Sequence, residues 1–185
     1  MKQILTLALS LFVAAFMFTG CDDLTTVSVN VPMSTEHAIA IAGNEMAFGK
    51  AETINLNDYK DFQNNKAKIK DLQIESIQYR IDGHTGSANQ TLTGTIGVMG
   101  TDQIPTTLYS INNWNIAAKQ TETANNNWVT LDVDQAGKDR LISLVKNDPN
   151  TGTIGLMGST NEVPVGFNLT FKINWMLVAE EDLVK

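Results

Sequence analysis

The chain has 185 residues, with 13 Lys and Arg against 20 Asp and Glu, a formal net charge of −7 and a single Cys. An acidic balance excludes the basic stripe on which nucleic-acid binding depends. One cysteine excludes an internal disulfide framework, so the core must rest on apolar burial, for which a single domain of this length suffices.

At the N-terminus, Met1-Lys2 gives a short positive start, and residues 4–18 are almost wholly apolar. A run of roughly 15 residues falls short of the ~20 needed to cross a bilayer, so it reads as a signal rather than an anchor. The next residues, Phe18-Thr19-Gly20-Cys21, resemble the lipobox of bacterial lipoprotein precursors, with Phe where Leu is commoner. The resemblance implies that residues 1–20 are removed, that Cys21 is lipidated, and that residues 21–24 form a short tether. Lipidation would also explain a lone thiol in a secreted chain. One acyl chain, at roughly 0.8 kcal/mol per buried methylene, holds reversibly, so a stable anchor needs more than one chain on Cys21. Loss of residues 1–20 removes only Lys2 among charged residues, so the mature chain is more negative than the precursor by a single charge. Asp22 and Asp23 resemble an inner-membrane retention signal of enterobacteria or, in Bacteroidetes-like bacteria, a surface-export tag. The implied location is the bacterial cell envelope, lipid-anchored to the inner or outer membrane.

Residues 25–185 read as one mostly β domain. Val27, Val29 and Val31 alternate with polar residues, and Ile39 and Ile41 repeat the period of two that marks a half-buried strand. After Asn57, a candidate N-cap, Asp58 to Lys68 is polar with Tyr59 and Phe62 on one side, which predicts a short helix. Between Leu72 and Ile81 the alternation changes phase, predicting a β-bulge near Glu75-Ser76. A second slip separates Tyr109 and Ile111 from Trp114 and Ile116, which places an irregularity at Asn112-Asn113. Val129, Leu131 and Val133 form an inward set, leaving Trp128 on the opposite parity beside Thr130. A second helix is predicted behind Asp134, carrying Leu141, Leu144 and Val145 until Asn147-Asp148-Pro149 stops it. The clearest strand comes last, with Phe167, Leu169, Phe171, Ile173, Trp175 and Leu177 on one face.

Thr93-Gly94-Thr95-Ile96-Gly97-Val98-Met99-Gly100 recurs as Thr151-Gly152-Thr153-Ile154-Gly155-Leu156-Met157-Gly158, with one difference. Each copy is followed by a proline and then a strand bearing a tryptophan, so residues 93–116 and 151–177 look like related strand-turn-strand units, one per sheet or one per half. A strand glycine marks a bulge or a close backbone approach, which favours a structural duplication. Twin ligand sites are the alternative.

Chemistry is scarce. His37 and His84 lie in different segments and read as surface or turn residues, since a zinc site would need carboxylates for half its ligands. Asp132-Val133-Asp134 starts like a calcium loop, but Ala136 and Ser143 stand at ligand positions, so Asp134 reads as a helix cap. No nucleophile elbow, zincin pair or phosphate loop occurs. No catalytic residue, metal or cofactor is therefore expected. Trp175 belongs to the core, whereas Trp128, with Trp114 or Tyr109, is the candidate for stacking on a ligand.

The expected architecture is an antiparallel β-sandwich of eight or nine strands, immunoglobulin-like or jelly-roll-like, with one or two short helices. Three functions compete: an anchored, non-catalytic module that binds an envelope protein or assembles; a carbohydrate-binding lipoprotein, requiring two exposed aromatics on one face; and a hydrolase with two carboxylates about 5 to 9 Å apart in a cleft.

Overall fold

The computed structural model describes residues 26–147 and 149–182. The chain divides into two compact units, residues 1–29 with 180–185 and residues 30–179. The described residues of the first are 26–29 and 180–182, which belong to two strands.

Eight strands are described: β1 (Thr26–Gly43), β2 (Ala47–Asn55), β3 (Ile69–Asp82), β4 (Thr91–Met99), β5 (Thr106–Asn115), β6 (Val129–Thr130), β7 (Thr151–Thr160) and β8 (Val165–Asp182). Three α-helices join them: α1 (Lys60–Asn65), α2 (Ile116–Glu122) and α3 (Gln135–Lys146). The strands form two four-stranded sheets, ordered β1-β8-β3-β6 (sheet I) and β2-β7-β4-β5 (sheet II). Of strands consecutive in the chain, only β4 and β5 are neighbours, and every other step changes sheet. The neighbours β1 with β8, β2 with β7, β3 with β6 and β4 with β5 nest as in a chain folded double and then rolled. That is a jelly-roll order, and it decides against the immunoglobulin alternative, in which consecutive strands pair within a sheet.

Alternation sets the faces. On β1 the odd positions from Met33 to Ile41 are buried and the even ones exposed. β8 turns Phe167, Leu169, Phe171, Ile173, Trp175 and Leu177 inward, all at most 2% exposed. Each such side chain contributes about 1.5–3 kcal/mol when fully buried. A strand with so long an inward run belongs in mid-sheet, and β8 lies there between β1 and β3.

Both predicted irregularities occur. The register of β3 on β8 slips between Ile74 and Ser76. On β5, Asn112 and Asn113 fall between the residues paired with Leu92 and Gly94, and Asn113 takes a positive φ of 52°. Its N–H donates to Thr93 Oγ1 at 3.2 Å.

The helices depart from expectation in two places. Asn57 does not cap a helix. Asn55 does the capping, accepting from the Asn57 N–H at 3.1 Å and opening a 3-10 turn, Leu56–Asp58. Leu56 is fully buried and its N–H donates to Asn150 O, so the turn is fixed by packing two residues earlier than the polar pattern suggests. α1 then starts at Lys60 without a side-chain cap and buries Phe62. The second departure is α2, in a stretch that alternates like a strand. Asn115 Oδ1 accepts from the Ala118 N–H at 2.8 Å, so the strand ends in an N-cap and Ile116 is buried in the first helical turn. At the other end of α2, Thr123 Oγ1 donates to Ile81 O at 3.0 Å and accepts from Ile81 N at 3.1 Å. These bonds tie the helix to β3.

α3 runs as predicted from behind Asp134, which makes no side-chain capping bond, and buries Leu141 and Val145 one turn apart. It lies close against β5 because Gly137 has no side chain: an added Cβ would stand 2.3 Å from Thr107 O.

Candidate functional site

The two octapeptides meet. β4 and β7 pair antiparallel in the middle of sheet II, with Gly97 opposite Gly155, Ile96 opposite Leu156, Thr95 opposite Met157 and Met99 opposite Thr153. Gly97 and Gly155 are equivalent positions of the repeat, so the copies are related by a local two-fold axis through that pair. The strands that follow diverge: β5 stays in sheet II, whereas β8 joins sheet I.

Parity gives the glycines two roles. Gly94 and Gly158 turn inward and oppose each other; a Cβ on Gly94 would lie 2.3 Å from Met157 O, and one on Gly158 2.8 Å from Thr93 O. Here the missing side chains permit backbone approach. Gly97 turns outward, where the nearest atoms to an added Cβ are Thr106 O at 3.5 Å and Pro105 Cβ at 3.9 Å. It floors a groove of about 320 Å³ on the outer face of sheet II, with Gly155 and Ala51 in the same row and Met99, Met157 and Pro105 as walls. Met99 and Met157 are themselves two-fold equivalents. Met157 is 51% exposed, and Ile104, between groove-lining Gln103 and Pro105, is 65% exposed.

The predicted aromatic residues separate onto two sides of β3. Trp114 is half-buried and turns inward, stacked on core residue Tyr79 at 4.8 Å between centroids and 25° between planes, with Tyr109 at 5.7 Å. Lys119 Nζ sits 5.4 Å from the Trp114 ring and 2.6 Å from Glu122 Oε2. The Glu122 carboxylate, more than anything else, holds the Lys119 ammonium above its ordinary pKa. Trp128 lies with the outward residues of sheet I, its ring 5.0 Å from the Arg80 guanidinium and 5.4 Å from Lys172 Nζ. Arg80 also donates to Asn126 Oδ1 at 2.8 Å. Trp114 and Tyr109 are thus brought together, and Trp128 shares no face with them.

His37 is not a surface histidine. It faces inward on β1 and is 6% exposed, and burial pushes its pKa down. Its Nε2 lies 3.0 Å from Thr35 Oγ1, which also accepts from Trp175 Nε1 at 3.0 Å. The alternation of β1 carries both polar side chains into the core, where they satisfy the indole. His84 is a half-buried turn residue, 3.0 Å from Gln90 Oε1; the fully buried Gln90 amide donates to Glu162 O at 2.7 Å and Pro164 O at 3.1 Å. Among the described residues no group of three His, Cys, Asp or Glu could hold a metal ion, and no helix is long and apolar enough to cross a membrane. Cys21 lies outside the described residues.

One property of the octapeptides belongs to the sheet they share. The odd positions of β2, β4 and β7, which turn outward, hold only Ala, Asn, Gly, Ser, Thr and Met. The signal was present in both copies, where every odd position is Thr, Gly or Met, but it says nothing until the copies are known to share a sheet.

Among the described residues, the fold and this face define an eight-stranded jelly-roll domain whose second sheet has no charged side chain at the odd, outward positions of β2, β4 and β7. No family model matches the chain, and no curated protein sequence matches it. Among solved structures, the crystal structure of the decameric BFDV capsid protein is similar at 12% identity, with a TM-score of 0.34, over 84% of this chain and 98% of that one. A likeness of that size carries no argument.

Proposed function

We propose that this chain is a bacterial envelope lipoprotein, anchored through acylated Cys21, whose jelly-roll domain is a non-catalytic binding or assembly module. The observation that carries the anchor is the position of the only cysteine, directly after an apolar signal-like run and the small residues Thr19-Gly20. The module reading is supported by the uncharged outer face of sheet II, which offers contact area without charged groups to desolvate. Envelope fractionation tests the anchor. The wild-type chain is expected with the membranes and in the detergent phase, and Cys21→Ser in the aqueous fraction. Equal partitioning of the two would refute it.

A second reading, glycan binding, loses the pair of exposed aromatics it required, because Trp114 turns inward onto Tyr79, and rests on Trp128 alone, outward between Arg80 and Lys172. Cations on the indole suit a uronate or sulfated sugar rather than a neutral one. Titration with such oligosaccharides, followed by tryptophan fluorescence in wild type and Trp128→Phe, decides it: saturable quenching lost in the variant supports the reading, and an unchanged response in both removes it.

A further inference from the structure

We propose that the outer face of sheet II is the contact through which two copies of this chain associate. The inference deepens the module reading by naming the partner, and it stands apart from the anchor.

The chain carries 33 Lys, Arg, Asp and Glu side chains, from 13 basic and 20 acidic, and a net charge of −7. None occupies the odd, outward positions of β2, β4 or β7. Lys50 and Glu52 occupy even positions of the edge strand β2, both exposed, and Lys50 borders the groove at that edge, so charge is confined to the rim of the face. Two molecules of equal negative charge repel, and a contact made through a surface poor in charge adds least to that repulsion. A cationic partner would instead favour carboxylates here, and the face has none.

An isologous contact sets one patch against itself, so every group must find a partner in the same set. The local two-fold through Gly97 and Gly155 has already made this patch self-similar: Met99 and Met157 are raised on either side of a glycine floor. Raised methionines of one copy fit the other's groove, and thioether side chains adapt to such a fit.

Four strands about 4.8 Å apart and about nine residues long present a face of roughly 19 by 30 Å, or about 570 Å² per copy. A dimer would bury about 1,100 Å² in all, close to the ~1,200 Å² at which stable specific interfaces begin. The association is therefore a reversible one of modest affinity, tightened wherever the chains are concentrated.

The test is sedimentation velocity of the full chain in mild detergent, up to roughly 100 µM, with the acylation state of Cys21 read by mass on the same samples. A concentration-dependent dimer is expected. Thr95→Glu with Thr153→Glu sets four carboxylates across the contact and is expected to raise the dissociation constant at least tenfold. Ala38→Glu with Ala40→Glu, on the exposed outer side of β1, is expected to leave it unchanged. A monomer at every concentration, or a dimer equally sensitive to both pairs, overturns the proposal whether or not Cys21 is acylated. If the sheet II variant loses its β-sheet circular dichroism, cross-linking decides. With a bis-maleimide, Met157→Cys is expected to give dimers well above those of Ala38→Cys, and equal yields overturn the proposal.

Discussion

Replacing Gly94 and Gly97 by alanine, one at a time, separates the two roles assigned to the repeat's glycines. At Gly94 the new Cβ would stand 2.3 Å from Met157 O and 2.6 Å from Gly158 Cα, both backbone atoms of the paired strand. Neither can swing aside, so the central pairing of sheet II must open by about an ångström, an overpacking strain of roughly 1–3 kcal/mol. At Gly97 the nearest atoms lie at 3.5 and 3.9 Å, which is ordinary contact, and the backbone there needs no positive φ. Alanine at that position removes freedom from the unfolded chain and stabilises by about 0.4–1 kcal/mol. The two variants should differ by about 1.4–4 kcal/mol, read as separated midpoints in urea denaturation at unchanged slope. Gly158→Ala, meeting Thr93 O at 2.8 Å, should fall between them. Equal destabilisation by Gly94→Ala and Gly97→Ala would refute the inward and outward assignment, and with it the uncharged face.

The buried His37 makes stability depend on pH. Its folded pKa is lowered by burial, so below about pH 6.5 the unfolded chain takes up a proton that the folded chain refuses. Its contribution is therefore full above that value and is lost as pH falls toward the folded pKa, by at most ~1.4 kcal/mol per pH unit. Denaturation midpoints of wild type and His37→Gln should converge as pH drops from 7 to about 5; divergence would show that His37 is charged in the fold. Trp175→Phe removes the donor to Thr35 Oγ1 and some of a buried ring, and a loss of about 1–3 kcal/mol is expected in the same assay. Asn115→Ala deletes the side-chain cap of α2 and should cost about 1 kcal/mol, whereas Asp134→Ala at the start of α3 removes no cap bond and should stay within about 0.5 kcal/mol. The reverse order would contradict the cap geometry.

Strands were legible wherever one face is buried, because alternation reports burial directly. The phase slips at Glu75-Ser76 and Asn112-Asn113 were legible for the same reason: an extra residue flips every side chain beyond it. The choice between immunoglobulin and jelly-roll orders was not, since pairing between distant strands leaves no local trace. α2 escaped because Trp114 and Ile116 keep a strand's spacing across the cap at Asn115, and only the Ala118 N–H bond distinguishes the two conformations. His37 reads as a surface or turn residue, yet the parity of β1 places it inside with Thr35, where Trp175 needs an acceptor. The candidate ligand aromatics followed the same logic only incompletely. Trp128 is outward as its parity requires, while Trp114 turns inward onto Tyr79, a neighbour supplied by the facing sheet.

The most direct test of the envelope account is the intact mass of the protein recovered from the membrane fraction of a bacterial host. The account predicts a chain lacking residues 1–20 and carrying diacylglycerol-sized or larger additional mass on Cys21. A full-length chain, or a truncated one with an unmodified Cys21, would contradict it.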